Sequence, residues 1–470
     1  MTILSFVTFP YVCRVLGDQA FGLYSWAVSF VYYFLVIARI SIPNIAVREI
    51  VKVKDDKEKL SQKTHEFFII QAIATILSFG LLCVIFFSVQ SFKDSQPIVF
   101  LLSLNFLTGV LSFEWLFTAF EKHTYMAVRS IITATIVDIL IFTFIRHPEH
   151  LPLYTFFCVL TTILTVVVNL IYLPFVVKLS RPKELNFKQY IPTIAIMFMI
   201  SVVAAVYDKT DTFILGIIDK SKASVGSYAV GMKGVEIVIG VITALSTVFI
   251  PRATAYYEAK DARQFKNINI YASNIALFIV IPAIVLMICL SKPLTMLIGG
   301  QKGYLNANMV LIALASLMLT FSICNIIYTQ ILIPMKREKT YLFTLIFGAI
   351  SNIGFSLFFG LVVFKNNPAF GVALGTAITD SLVLLIMLLL TWKHSKHMIL
   401  AKNNLVILLI SSILIVSTIL LNKYLVINGK TVEEATILKL VVILAIDAVI
   451  YLVGCFIAKE KLVRSFFKKA

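Results

Sequence analysis

Charge is scarce in this sequence: Asp, Glu, Lys and Arg make up 14% of the 470 residues, against 60% hydrophobic residues. Soluble domains carry about 25% charged and about 45–50% apolar residues. A soluble chain of this length would also divide into domains with polar surfaces, so a water-facing globule is excluded. Polar connections are short too. None leaves room for a nucleotide-binding domain, and no GxxxxGK[ST] phosphate loop is present, so ATP is not expected as the direct energy source and no cofactor is expected. There is no long external loop to carry the catalytic residues of a membrane glycan polymerase, so no enzymatic chemistry is expected. The six cysteines (Cys13, Cys83, Cys158, Cys289, Cys324 and Cys455) all lie in apolar stretches and no two share a loop. Neither a disulfide framework nor a metal site is expected from them. The histidine pairs His147/His150 and His394/His397 supply too few ligands for a metal.

Apolar runs are what the sequence has instead. Lipid must solvate them, and inside lipid every backbone N–H and C=O must be paired internally, so runs of about 20 residues read as spanning helices. Segments are expected at 2–16, 20–46, 66–90, 97–118, 128–145, 152–177, 191–218, 223–250, 267–291, 304–333, 340–364, 369–391, 405–422 and 436–457. The fold class is therefore an all-α polytopic membrane protein with about fourteen transmembrane helices. The second, seventh, eighth and tenth segments are long enough to tilt or extend beyond the bilayer. Met1 is followed at once by an apolar run, with no basic region and no small-residue cleavage site, so no cleavable signal is expected. The first span is short, either truncated or begun upstream of Met1.

The net charge of +17 would suit nucleic acid if it were gathered on a folded domain, but it is not. With the N-terminus inside and the edge residues Arg129 and Arg14 counted with the connections, the cytoplasmic side holds 27 of the 41 Lys and Arg, the opposite side 10, and the segment interiors 4. Cytoplasmic loops are enriched in Lys and Arg. Both termini are thus expected in the cytoplasm of a bacterial inner membrane, with a basic tail at 458–470 and no nucleic-acid partner.

One pattern occurs twice. LGDQAFGLYSWA (16–27) leads into a long span that ends at Arg48, and LGIIDKSKASVGSYAVG (215–231) leads into one that ends at Arg252. Tyr24 and Tyr228 are 204 residues apart, and each precedes its arginine by 24. The loops EKHTY (121–125) and KREKTY (336–341) fall near the same offset. The offset covers six segments, so the copies keep one orientation, as in parallel repeats about an axis along the membrane normal. The expected organisation is an N-terminal six-helix bundle at 1–178, a pseudo-symmetric C-terminal one at 191–391, and two further helices at 405–457.

FPYVCRVLGDQAFGLYSWA (9–27), AVREI (46–50), EWLFTAFEKHTYMAVRSII (114–132), DTFILGIIDKSKASVGSYAVGMK (211–233) and IPRATAYYEAKD (250–261) together resemble the polysaccharide-transport family. Its members are the O-antigen and capsule repeat-unit flippases of the multidrug/oligosaccharidyl-lipid/polysaccharide exporter superfamily. Thr118 and Ala119 stand where the family usually has glutamine-glycine. The resemblance implies two bundles flanking a central cavity. It also implies alternating access and export of an undecaprenyl-diphosphate-linked glycan, with a glycan polymerase and a chain-length regulator as further partners beside the bilayer.

The tail of such a substrate can stay in lipid, whereas its diphosphate and sugars cannot cross hydrocarbon unaided. Cations inside spans, each costing roughly 2.5–3.5 kcal/mol at a helix centre, are therefore the candidate phosphate contacts. They are Arg39, Lys209 and Lys233, with Arg14 and Arg48 near segment ends. Arg grips phosphate with a planar fork and Lys acts as a point charge. The bland alternatives are that Arg39 snorkels to the interface, that Lys209 pairs with Asp208 or Asp211, and that Lys233 pairs with Glu236, one turn away. Tyr24, Trp26, Tyr32 and Tyr33 are candidates for stacking on sugar rings. Asp138, with Glu236 and Asp211, is the candidate for ion coupling, because burial raises a carboxyl pKa. A structural hydrogen bond from Asp138 to Thr133, Thr135 or a neighbouring helix is the competing role. Asp447 reads as structural. Gly226, Gly231, Gly234 and Gly240 suit close helix approach. Trp115 and Trp392 suit interfacial belts. Three other functions compete: a drug/cation antiporter of the same superfamily, which would want an acidic cavity, a peptidoglycan lipid-precursor flippase, and a glycan polymerase.

Overall fold

The computed structural model describes residues 2–89, 95–177, 180, 184–300, 303–304, 306–427 and 431–458. The basic tail expected at 458–470 lies outside them beyond Ala458. The helices of the first part are α1 (Thr2–Arg39), α2 (Ile42–Val51), α3 (Lys57–Ser88), α4 (Gln96–Ser103), α5 (Asn105–Leu111), α6 (Glu114–Ala119), α7 (His123–Phe144), α8 (Leu151–Val176) and α9 (Ile191–Ile218). Then come α10 (Ala223–Glu258), α11 (Ala262–Cys289), α12 (Ser291–Gly299), α13 (Ala307–Ile327), α14 (Glu338–Leu357), α15 (Pro368–Ile399), α16 (Lys402–Tyr424) and α17 (Val432–Ile457). The chain is an all-helical polytopic membrane protein. Among the described residues, twelve helices are long and apolar enough to cross a bilayer.

Two further expected crossings are present in broken form. Segments one and two merge into α1, but Gly17 inside it has φ 77° and ψ 174°, values open to glycine and costly for other residues. The rings of Phe9 and Phe21 meet across it at 5.4 Å. In a straight helix twelve residues rise about 18 Å, so the chain folds back at Gly17 into two arms. The second segment reads long because it turns a corner: Ile40 (φ 43°) and Ser41 (φ 58°) end α1 and start α2. The fourth segment is divided among α4, α5 and α6, with Phe113 at φ 47° before Glu114.

Start signals in the sequence account for several boundaries. Asp56 caps α3 by accepting from the backbone N–H groups of Glu58 and Lys59, both at 3.2 Å. The Lys59 N–H holds the Asp56 carboxyl below its usual range, so this cap persists until pH falls through that lowered value. Asp261 caps α11 through the Gln264 N–H at 3.0 Å, and Thr431 caps α17 through the Glu434 N–H at 3.1 Å. An oxygen side chain at this position satisfies an amide that the helix leaves unpaired. Outward faces are apolar: Ile76, Leu77, Val84 and Phe87 of α3 are exposed, as a lipid-facing helix requires.

The chain divides into two compact units, one of residues 1–216 with 221–226 and one of residues 217–220 with 227–470. In the first, α9 lies antiparallel along the second arm of α1. Ser41 meets Ser201 (2.8 Å), Lys209 lies over Tyr32, Phe213 meets Tyr33, and Gly216 lies against Trp26. From one end of the seam to the other, one index falls from 41 to 26 as the other rises from 201 to 216. Nearby, α2 packs on α6 in a core holding Ile42, Ile50, Phe67, Trp115, Leu116 and Phe117. Trp115 is buried there rather than sitting in an interfacial belt, whereas Trp392 is exposed. In the second unit, α15 approaches the backbone of α14 at Gly375 and that of Phe359, just beyond α14, at Gly371, and Gly231 of α10 meets Val310 of α13. Helices α16 and α17 pack on α11 through Val285, Ile410, Leu414, Tyr451 and Cys455. Asp447 of α17 accepts from Ser417 (2.6 Å) and Thr418 (2.7 Å) of α16, which is a structural clip.

Candidate functional site

The seam between α1 and α9 carries most of the sequence-predicted site residues of the first unit. Arg39 stands at the break between α1 and α2. It is exposed and has no ion pair or hydrogen bond among the described residues. The Lys209 ammonium pairs with Asp208 at 3.0 Å and sits 5.6 Å from the centre of the Tyr32 ring. Tyr33 is beside Thr210 and Asp211, and Asp211 is buried. Arg48 is exposed on α2 and Arg14 on the first arm of α1. Trp26, considered for sugar stacking, is instead buried against Phe30 at 5.7 Å. An unpaired guanidinium and a half-exposed ammonium on one polar seam can replace water around an anionic oxygen cluster.

Tyr24 and Asp138 come together away from this seam. The Tyr24 and Tyr154 rings meet at 4.9 Å. The Cys158 thiol lies within hydrogen-bonding reach of both hydroxyls, with Asp138 close by. The Thr8 hydroxyl donates to Asp138 Oδ1 at 3.0 Å. Asp138 therefore bonds to a neighbouring helix, while Thr133 and Thr135 donate to carbonyls of their own helix. Sequence spacing could not show this grouping, because it depends on the fold-back at Gly17 that returns Thr8 and Tyr24 to α7 and α8.

Lys233 and Glu236 belong to the second unit, where their side chains pair at 3.2 Å, both partly exposed. Among the described residues, no group of three or more His, Cys, Asp or Glu could hold a metal ion, and none of the six cysteines is in a disulfide.

Sequence reading missed a buried network. Arg129, counted there with the loop cations, is inside α7 with its side chain 4% exposed. Its Nη1 donates to Asn169 Oδ1 (2.6 Å) and its Nη2 to Glu114 Oε1 (2.8 Å) and Ser130 Oγ (3.2 Å). The Tyr125 hydroxyl shares Asn169 Oδ1 at 3.0 Å, and Asn169 Nδ2 donates to the Ser112 carbonyl at 2.6 Å. The EW…EKxxY…R string thus ties α6, α7 and α8 together. The available signal was the helical spacing of Tyr125 and Arg129, which places both on one face.

The comparisons agree with this architecture. The model of the family described as "Polysaccharide biosynthesis protein" matches residues 1–257. The chain belongs to this family. A MatE family model also matches residues 192–358. The chain is 21% identical, over 403 residues, to a protein of Escherichia coli (strain K12) described as "Putative O-antigen transporter", covering 82% of this chain and 92% of that protein. Among solved structures, lipid II flippase MurJ in an inward closed conformation aligns with TM-score 0.69 and 19% identity, covering 98% of this chain and 99% of that one. An inward-facing multidrug resistance MATE transporter aligns with TM-score 0.64 and 15% identity, covering 86% and 96%. These structures share the fold. The family member described here is a membrane transporter with many apolar helices.

Proposed function

We propose that the chain is a flippase for undecaprenyl-diphosphate-linked oligosaccharide repeat units. It moves them from the cytoplasmic to the outer leaflet of the bacterial plasma membrane by alternating access, for O-antigen, capsule or exopolysaccharide synthesis. The observation that carries this reading is Arg39: an exposed guanidinium at a helix break, unpaired among the described residues, on a seam that also presents Lys209. Unpaired cations in membrane helices are costly and are retained where an anionic partner visits. The isoprenoid stays in lipid while the diphosphate is held by Arg39 and Lys209, then by Lys233 once its pairing with Glu236 yields. Arg48 draws the diphosphate in at the basic end and Arg14 receives it at the other, with Tyr24 beside the sugars. The repeat units 1–178 and 191–391 are the moving parts, residues 405–457 an accessory pair, and both termini face the cytoplasm. Asp138 exchanges a proton or sodium ion against its Thr8 hydrogen bond to couple transport, with Asp211 and Glu236 as secondary acids. No covalent step is required.

The test is complementation of a flippase-null host. The wild-type chain restores surface glycan, and Arg39→Ala at matched protein level does not. Normal glycan from the variant would remove Arg39 from the mechanism. The acids Asp138, Asp208 and Asp211 favour a second reading, a drug/cation antiporter. It would show as cation-dependent efflux of an organic dye with no effect on glycan.

A further inference from the structure

Gly22 and Gly226 are the glycines of the two G-x-Y strings, 204 residues apart like Tyr24 and Tyr228. The fold brings these repeat equivalents together within the first compact unit. A Cβ on Gly22 would collide with the Lys222 carbonyl oxygen and stand 2.9 Å from the Gly226 nitrogen. A Cβ on Gly226 would collide with the Asp18 carbonyl oxygen. Asp18 and Lys222 are themselves 204 apart, so the contact is reciprocal: each glycine meets the residue four before its counterpart. That is the signature of a two-fold contact, in which the same patch faces itself, here written into one chain by its internal repeat. Only glycine permits such backbone approach.

A second device lies one turn along the seam. The Lys222 ammonium stands 4.7 Å from the centre of the Trp26 ring and donates to the Gly216 carbonyl, and any Cβ on Gly216 would collide with the Trp26 ring. Lys222 thus closes the last turn of α9 over a buried aromatic. Two bare backbones in van der Waals contact exclude water and anything larger. They also part without repacking side chains, since dispersion falls off within about an ångström. The crossing lies near the Gly17 fold-back, at the end of the second arm of α1 away from Arg39, which is the outer end when the termini are inside.

We infer that the Gly22–Gly226 crossing, secured by Lys222 on Trp26, is the outer gate of the transport path, and that the first turn of α10 must leave α1 for the glycan to exit. This rests on the flippase reading, and the experiment separates the two. Gln19→Cys and Ala223→Cys, also 204 apart, place thiols beside the crossing in the full chain. Intact flippase-null cells making the double variant are treated with ortho-phenylenedimaleimide, and newly exported glycan is followed. Restoration of glycan by wild type and by the untreated double variant establishes the transport reading and the fold. The expected result is a bridged species and a drop of new glycan to the null-host level, with each single-cysteine variant unaffected by the reagent. A bridged species that exports normally, or thiols that never bridge, would overturn the gate while leaving the flippase reading intact. As a second readout, Lys222→Ala should raise the labelling rate of Gln19→Cys by a membrane-impermeant maleimide severalfold, and an unchanged rate would contradict the role of Lys222.

Discussion

Arg129 and Arg39 lie in the same compact unit and in opposite circumstances. Arg129 is buried, with donors engaged to Glu114, Asn169 and Ser130. Arg39 is exposed at a helix break with no partner among the described residues. A membrane protein tolerates a guanidinium in either way, but for different reasons. Where every partner comes from the chain, the charge fixes helices relative to one another. Where the chain supplies none, the charge stays available to something that arrives. The contrast between a closed network and an open seam is the ground on which we propose structure for one and transport for the other.

The sharpest way to break the contrast is to remove the closed arginine. Arg129→Ala removes the donor to the Glu114 carboxylate and leaves Asn169 Oδ1 with the Tyr125 hydroxyl alone. The buried guanidinium takes with it charged hydrogen bonds worth about 1.5–3 kcal/mol where buried, and less at the half-exposed Glu114, so the purified protein should unfold at markedly lower temperature or denaturant concentration. Arg129→Lys should not restore it, because a single compact ammonium lacks the planar fork whose two Nη groups reach Asn169 and Glu114 separately. Wild-type stability of Arg129→Ala would mean that the network holds nothing together.

Arg39→Ala should do the reverse, leaving thermal stability unchanged and lowering surface glycan. One charged hydrogen bond is worth about 1.5–3 kcal/mol, so a loss of roughly ten- to a hundredfold is expected at matched protein level. A large stability loss would place Arg39 with Arg129 and erase the distinction.

Asp138→Asn sharpens the comparison from a third position. The amide can still accept from Thr8 but cannot take up a proton. Export should persist at reduced rate and stop responding to an imposed proton gradient in membrane vesicles. An unchanged response would leave Asp138 a structural acid like Asp447. The smallest effect belongs to Tyr125→Phe, which removes one of two donors to Asn169 Oδ1. A loss of about 1 kcal/mol in unfolding free energy is expected, with export intact.

Hydropathy made most of the helices legible in the sequence, because lipid exposure demands long apolar runs whatever the packing. It could not show that Gly17 folds α1 back or that the fourth crossing is divided, since a positive φ leaves composition unchanged. The candidate cations were also visible, because a charge in an apolar run stands out. Their circumstances were not. Arg129 looked like a loop residue at the edge of a segment, and only the positions of Asn169 and Glu114 show that its two Nη groups are engaged. The grouping of Thr8, Tyr24, Asp138 and Cys158 was hidden for the same reason: it joins residues more than a hundred positions apart. Gly226 was legible as a residue for close helix approach, but its reciprocal contact with Gly22 appears only when the repeat is folded.

The central claim is that the open seam carries a diphosphate across the bilayer. It is tested most directly with the purified chain in proteoliposomes holding a labelled undecaprenyl-diphosphate oligosaccharide, by following its appearance in the opposite leaflet. The account predicts transfer by wild type and by Tyr125→Phe, and little above protein-free vesicles with Arg39→Ala. Transfer by Arg39→Ala at the wild-type rate, or none by a folded wild-type protein, would contradict it.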